Sequence, residues 1–431
     1  MIMKKLLSLI GLLAFSQWLL AAVPVEQWLT PQGTRVQFVA SRALPMLDVQ
    51  IDFAAGSLFD PPGKAGLAAL THAVLDLGAG KRDETAIAEQ LADVGAQLSG
   101  QADTDRANLS LRSPSAADKR GPALAILRDI LHAPRFDPAI LAREKGRTIA
   151  QIKEAQTRPD EIASKAFWAA LYPEHPYGRE ATPASVSRLT RLDVLAFHAR
   201  HYVASNANIT LVGNLTRTEA EEIAAMLAAA LPAGRPAPLP AAPLAPVGRE
   251  IRIAHPASQA HVFIGLPAIE RGNPDFFPLL VANYSLGGGG FVSRLMKEIR
   301  DQRGYAYSVH SYFTPLRQPG PFLINLQTKR TQADEAAALA RKILEDFVQQ
   351  GPSDEEIAAA KANLVGSFPL RLDSNKKMLD NLAMMGFYHL PADYLDRYQD
   401  NVRAVTPEAI RSALLRYLRP EKLITVKVAA E

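Results

Sequence analysis

Apolar and polar residues alternate, or nearly so, in several short stretches of the first half of the chain. This period of two predicts β-strands at residues 35–40, 47–53, 107–113 and 207–213. Apolar residues at helical spacing predict helices at residues 66–78, 87–95, 122–132, 138–156 and 192–202. Together these elements predict one complete α+β domain in residues 23–232.

The helix predicted at residues 66–78 has two unlike faces. The face that would point into the core carries Leu67, Leu70, Val74 and Leu77, and Gly78 is well placed to end the helix. The opposite face carries Ala69, His72, Ala73 and Asp76. We therefore expect any catalytic or metal-binding residues of the first domain to lie on this second face.

A proline-rich stretch follows the first domain, and beyond it the pattern begins again. Residues 233–247 are too rich in proline for a core element and predict a semi-rigid linker. Short motifs then recur at a spacing near 210 residues: 126–131 with 343–348, 77–80 with 286–289, and 209–212 with 424–428. A repeat of this length indicates a duplicated domain, so we predict a second α+β domain in residues 248–431.

Length and composition narrow the possible classes of protein. At 431 residues the chain suits two or three domains, and 48% of its residues are hydrophobic, enough for substantial cores. The absence of cysteine excludes disulfides and thiolate metal sites. The near-balance of 48 basic and 44 acidic residues gives no sign of nucleic-acid binding.

The N-terminus predicts export. Lys4 and Lys5 precede an apolar run from Leu6 to Leu20 and then two alanines, the pattern of a cleavable signal peptide in residues 1–22. The run is short for a membrane span, although an uncleaved anchor is the alternative, and no later stretch predicts stable membrane insertion. An exported protein without disulfides suits the bacterial periplasm.

Positions 69, 72 and 73 have the spacing of the inverted zinc-peptidase motif His-x-x-Glu-His. The surrounding Gly66-Leu-Ala, the two-turn spacing and the closing Leu-Gly resemble the insulinase-like (M16) zinc peptidases. In this chain the positions are Ala69, His72 and Ala73, so both imidazole ligands and the general base are replaced. The resemblance also implies a third zinc ligand seven residues after Glu144, where this chain has Gln151, a poor substitute for a carboxylate.

The resemblance implies a fold and a second set of functional residues. Family members consist of two homologous α+β domains that face each other as a clamshell. Their second domain projects an Arg and a Tyr seven residues apart towards the catalytic centre, matched here by Arg300 and Tyr307 after the glycine run Gly287, Gly288, Gly289 and Gly290. The alternative is that Arg300 is a solvated helix residue, Tyr307 a packed strand residue, and the glycines a tight turn and not a flexible substrate loop.

Three hypotheses for function follow. The leading one is a non-catalytic subunit that holds no metal itself, pairs with a zinc-bearing M16 paralogue as a heterodimer and helps to enclose peptide substrate. A second is an active metallopeptidase with a rearranged site at His72 and Asp76 or at His198 and His201, although neither pair has a convincing third ligand and the second pair also suits surface or packing histidines. A third is a structural scaffold, as in the respiratory core subunits that share this fold.

Overall fold

The computed structural model describes residues 24–430, so the predicted signal peptide lies outside the described residues. In the first half the strands are β1 (Glu26–Leu29), β2 (Arg35–Ala40), β3 (Met46–Phe53), β4 (Gly78–Ala79), β5 (Arg82–Asp83), β6 (Gln97–Ala102), β7 (Ala107–Pro114) and β8 (Ala207–Gly213). The helices are α1 (Leu67–Ala73), α2 (Glu84–Asp93), α3 (Ala117–His132), α4 (Pro138–Ala155), α5 (Pro159–Leu171), α6 (Pro183–Arg188), α7 (Arg191–His201) and α8 (Arg217–Ala230).

The second half repeats this plan. Its strands are β9 (Arg249–Ile253), β10 (Gln259–Ile269), β11 (Ala306–Phe313), β12 (Gly320–Lys329) and β13 (Ile424–Val428). Its α-helices are α9 (Phe276–Asn283), α10 (Ala333–Gln350), α11 (Asp354–Ser367), α12 (Asn375–Phe387), α13 (Tyr398–Ala404) and α14 (Pro407–Tyr417), with π-helical turns at Tyr284–Gly288 and Met296–Gln302.

Apart from the additional edge strand β1 in the first, the two large sheets have the same topology, which confirms the predicted duplication. The first has the strand order β1-β2-β8-β3-β7-β6, and the second, read from its far edge, has the order β9-β13-β10-β12-β11. The last strand of the first half, β8, pairs parallel with β2 and antiparallel with β3, and the last strand of the second half, β13, pairs parallel with β9 and antiparallel with β10. The strands predicted at residues 35–40 and 207–213 are confirmed without change.

One helix of each half packs on the sheet of the other half. Helix α5 of the first half packs on β10 and β13 of the second sheet, and α12 of the second half packs on β3 and β8 of the first sheet. Phe167 on α5 meets Phe263 on β10 with ring centroids 5.7 Å apart. A face of each sheet is therefore covered by the opposite half, and the predicted pair of α+β domains facing each other is confirmed.

The halves also share a buried carboxylate. Asp105, fully buried in the loop between β6 and β7, accepts hydrogen bonds from the Tyr177 hydroxyl (2.7 Å), the Tyr388 hydroxyl (2.8 Å) and the Arg317 backbone N–H (2.8 Å). Tyr388 and Arg317 belong to the second half. Hydrogen bonds to a buried charged group are among the stronger ones in proteins, so this residue ties the two halves together.

The chain between Ala230 and Arg249, which contains the predicted linker, forms neither helix nor strand. It is nevertheless held in place, because the Gln318 side-chain amide donates to the Pro240 carbonyl at 2.6 Å and the Ser205 hydroxyl donates to the Gly234 carbonyl at 2.7 Å. Within residues 24–430 no helix combines the length and the apolar character needed to cross a bilayer.

The predicted helix at residues 66–78 is too long. Helix α1 ends at Ala73, and the chain turns so that Leu75 is fully buried while Leu77 is only partly buried. Gly78 does not end a helix. It starts β4 with a φ of +142°, and its carbonyl accepts from the Arg135 N–H at 2.9 Å. This contact with the segment after α3 draws the chain out of the helix, and local periodicity does not report it.

Candidate functional site

The start of helix α1 is fixed by hydrogen bonds to a carboxylate and by a glycine. The carboxylate of Asp60 accepts from the backbone N–H groups of Gly66 and Ala68, each at 2.7 Å, and so satisfies two donors at the helix start. Gly66 has a φ of +95°, a conformation that favours glycine. Burial raises the pKa of Asp60 to about 6 despite these hydrogen bonds.

The zinc-motif positions on α1 carry no ligand set. Ala69 is exposed and Ala73 is partly buried, and neither methyl group can bind a metal. The Nε2 atom of His72 lies 2.8 Å from the Asn108 carbonyl oxygen on β7, so the ring donates this proton to the sheet. A Cβ atom at Gly100 would lie 2.7 Å from the same nitrogen, which shows how closely strand β6 approaches the ring.

The neighbouring acidic positions do not complete a site. Burial raises the pKa of Asp76, and the charge of Glu144 acts in the same direction. Glu144 itself is buried and paired with Arg143 at 2.8 Å and Arg147 at 3.1 Å. Gln151 lies exposed further along α4. In the part of the chain from 24 to 430, no group of three or more His, Asp and Glu side chains could hold a metal ion.

The second histidine pair is built into the core of the first half. His198 stacks on Tyr202 and meets Phe136 edge-on, at centroid distances of 4.9 and 5.2 Å. The ring of His201 packs on Phe197 at 4.3 Å, and its Nδ1 lies 3.1 Å from the Ala54 carbonyl oxygen. Burial lowers the pKa of both histidines to about 4. Both are packing residues, one of the two alternatives that the sequence left open.

In the second half, the glycine run forms a tight turn against the sheet. A Cβ at Gly287 would lie 2.5 Å from the Ser311 backbone nitrogen, one at Gly288 would lie 2.7 Å from the Asn283 amide, and one at Gly289 would lie 2.6 Å from the Tyr284 carbonyl. Gly290 has open space around it but a φ of +62°. Close approach at three positions and a left-handed conformation at the fourth explain why glycine stands at all four.

Beyond this turn, Arg300 and Tyr307 come together on the surface. The Arg300 guanidinium carbon lies 5.1 Å from the Tyr307 ring centroid and 4.7 Å from that of Phe291, so two aromatic rings flank the cation. Tyr307 is 82% exposed and Phe291 is 65% exposed. The alternative that Tyr307 is packed in the core is therefore wrong. Among the described residues, Arg300 has no carboxylate partner.

The Arg300 guanidinium and the Tyr307 hydroxyl are hydrogen-bond donors that have no acceptor within residues 24–430. Tyr307 lies near the start of β11, the edge strand of the second sheet, and the π-helical turn 296–302 supplies Arg300. A guanidinium and a phenol can both donate to a peptide carbonyl oxygen or to an oxyanion. The sequence indicated Arg300 and Tyr307 through their spacing, whereas Phe291 was missed because its contact with Arg300 exists only in the folded turn.

Comparisons with known proteins agree with this geometry. Residues 39–183 match the model of the insulinase family, peptidase family M16. Residues 188–364 match the model described as the peptidase M16 inactive domain. Together the two matches cover most of the chain; the second begins at the end of α6 in the first half, crosses the linker and ends within α11.

Individual relatives point the same way. The crystal structure of the peptidase M16 inactive domain from Pseudomonas fluorescens is 37% identical, with a TM-score of 0.90 over 94% of this chain and 98% of that chain. The non-peptidase homolog YmxG of Helicobacter pylori is 26% identical over 397 residues, 91% of this chain and 90% of that protein. An uncharacterized zinc protease of Streptomyces coelicolor is 25% identical over 299 residues, 67% of this chain and 65% of that protein. The chain therefore belongs to the M16 peptidase family, as a homologue of the inactive type.

Proposed function

We propose that this chain is a non-catalytic M16 subunit that pairs with a zinc-bearing paralogue and binds part of the peptide substrate. The proposal rests on a contrast between the two halves: within residues 24–430, α1 carries no metal-ligand set, whereas the exposed Tyr307 lies beside the half-buried Arg300. The name of the Helicobacter relative, a non-peptidase homolog, supports the loss of catalysis. Zinc and the general base would then be supplied by the partner.

Within such a pair, the cluster around Arg300 would act on the substrate backbone. The guanidinium would hold a peptide carbonyl in a fixed geometry, and the Tyr307 hydroxyl would donate to the oxyanion that forms when water attacks that carbonyl. Phe291 would keep the Arg300 side chain in place by cation–π contact. The positive charge of Arg300 favours contact with the electron-rich carbonyl oxygens of a peptide.

The test is reconstitution with an M16 paralogue that has an intact His-x-x-Glu-His motif. We expect peptide cleavage to need both chains, and Arg300→Ala or Tyr307→Phe to lower kcat/KM by about 100- to 1,000-fold, the range for loss of an oxyanion donor. Arg303→Ala is the matched control, since Arg303 is an exposed cation three residues from Arg300 that contacts neither ring. Equal cleavage by the paralogue alone would overturn the proposal.

The same experiment separates substrate binding from a scaffold role. If the double variant Arg300→Ala, Tyr307→Phe assembles with the paralogue and retains full activity, the chain is a scaffold. Gel filtration of the complex shows whether assembly is intact. A loss of activity with unchanged assembly supports a direct contact with substrate.

Export to the periplasm is part of the proposal. Its support is the apolar run between Leu6 and Leu20 after two lysines, followed by alanines suited to signal cleavage. Fractionation of cells and N-terminal sequencing of the mature protein test it. We expect a periplasmic protein that begins near residue 23, and a protein that keeps residues 1–22 would contradict the prediction.

A further inference from the structure

A separate cavity opens in the second half, at the start of α9. Its volume is about 410 Å³, at the lower end of the range for sites that bind small organic molecules. Most of its wall is apolar, including Phe276, Phe277, Leu390 and Tyr394. The glycine turn follows the other end of α9, so this cavity is distinct from the cluster around Arg300.

One cation lines this apolar cavity. The guanidinium carbon of Arg271 lies 5.4 Å from the ring centroid of Tyr388 and 6.0 Å from that of Phe276. Its Nε atom is buried and has no hydrogen-bond partner among residues 24–430, and no carboxylate there lies within ion-pair distance of it. Burial lowers the pKa of Arg271, which is the direction expected when lost hydration is not fully replaced.

Two candidate counterions for Arg271, Asp275 and Asp105, are already in use. Asp275, which stands at the start of α9, is paired with Arg416 at 2.6 Å. The oxygens of Asp105 accept from two tyrosine hydroxyls and a backbone N–H, as described above. Burying a charged donor without a partner costs free energy, and since the Arg271 side chain makes no hydrogen bond within residues 24–430, its Nη atoms have unused capacity to bind an anion.

We infer that this cavity binds a small carboxylate whose body is aromatic or aliphatic. The carboxylate would accept hydrogen bonds from Arg271, whose planar fork matches two carboxylate oxygens, while the body packs on Phe276, Phe277 and Tyr394. A free organic acid and the C-terminal residue of a peptide present the same chemistry. The inference does not depend on the proposed function, because it concerns neither the zinc positions nor Arg300.

Calorimetric titration of the purified chain tests the inference with a matched pair of probes. We expect N-acetyl-phenylalanine to bind and N-acetyl-phenylalaninamide, which lacks the charge, to bind at least about tenfold more weakly. 3-Phenylpropionate and the tripeptide acid acetyl-Ala-Ala-Phe compare the two sources, and tighter binding of one identifies it. Equal binding of acid and amide, or binding of neither acid, would overturn the inference.

Variants place the binding in this cavity. Arg271→Gln should weaken binding of the acid about tenfold or more and leave binding of the amide unchanged. The control is Arg371→Gln, because Arg371 also lies over a tyrosine ring, 5.5 Å from the Tyr398 centroid, but does not line this cavity. If Arg271→Gln does not fold, Tyr394→Ala should weaken binding of every acid that the wild type binds. Full binding by a folded Arg271→Gln or Tyr394→Ala variant would place the ligand elsewhere.

Discussion

At the scale of single residues, the first half has lost its metal chemistry by replacing side chains, whereas the backbone that would carry them is still present. Positions 69 and 73 lie one helical turn apart on α1, and α4 packs beside this helix. Two imidazoles at these positions would share one face, as zinc ligands require. The lost chemistry is therefore a property of four side chains.

Restoring those side chains should restore metal binding. We expect the variant Ala69→His, His72→Glu, Ala73→His, Gln151→Glu to bind zinc near 1:1, measured by metal analysis after dialysis, and wild type to bind none. A variant that keeps Gln151 is the control and should bind zinc more weakly, because it lacks the carboxylate ligand. Equal affinity of the two variants would show that position 151 does not face the site.

Buried titratable side chains in the first half give opposite contributions to the pH dependence of stability. His198 has a pKa lowered to about 4, so it stays neutral in the native state while the unfolded chain takes up a proton below about 6.5. This contribution is complete above pH 6.5 and is lost as the pH falls to 4. Asp52, whose pKa burial raises to about 7, acts in the other direction: its contribution falls as the pH rises from about 4 to 7.

Removing one of these groups should change how steeply the free energy of unfolding depends on pH. We expect His198→Phe, which keeps the stacking on Tyr202, to gain about 2 kcal/mol over wild type in the free energy of unfolding when the pH falls from 7.5 to 5. Urea denaturation at the two pH values measures this difference. The control is His310→Phe, at an exposed position. A pH-independent difference for His198→Phe would contradict the assigned burial.

At the scale of elements, the glycine turn before Ser293 is held by specific contacts. Asn283 donates from its amide to the Ser311 carbonyl at 2.9 Å and accepts from the Ser311 hydroxyl at 2.6 Å. The turn is thereby fixed on strand β11, which also carries Tyr307. These contacts place the turn, which leads to the segment that carries Arg300, against the strand that carries Tyr307.

Two alanine substitutions in this turn should lower the free energy of unfolding by different amounts. Gly287→Ala places a Cβ 2.5 Å from the Ser311 backbone, and we expect a loss of about 3 kcal/mol in stability from overpacking. Gly290→Ala meets no atom within 4 Å and should lose only about 1 kcal/mol for its left-handed conformation. Urea denaturation of both variants checks this order. Equal, small losses would indicate a flexible loop.

Sequence patterns predicted elements that have a bounded apolar run or a regular apolar spacing, and missed a helix whose apolar face is recognisable only against the other half. The strand at residues 207–213 was predicted because its apolar run is bounded and short. Helix α5, by contrast, buries Ala163 and Phe167 against strands more than 90 residues away, and its pattern alone does not report this. Arg300 and Tyr307 were singled out by family resemblance, whereas their contact with each other and the position of Arg271 in a cavity could be known only from the fold.

At the scale of the whole molecule, the exchange of α5 and α12 makes each half incomplete on its own. Without the second half, the first sheet would expose the face of β3 and β8 that α12 covers, and Asp105 would lose its partners Tyr388 and Arg317. Without α5, the second sheet would expose Phe263 and the adjoining face of β13. Large exposed apolar faces of this kind lead to association or aggregation.

The linker, in contrast, adds no strand or helix to either sheet, so cutting it should leave the halves together. We expect a protease site inserted near residue 237 to be cleavable with no change in gel-filtration volume, and the cleaved protein to unfold in one cooperative transition. The two halves expressed separately should be insoluble or bind a hydrophobic dye, and co-expression should recover the soluble pair. Stable, folded monomers of either half would show that the exchanged helices contribute little, because a self-sufficient domain would not need the surface that its neighbour covers.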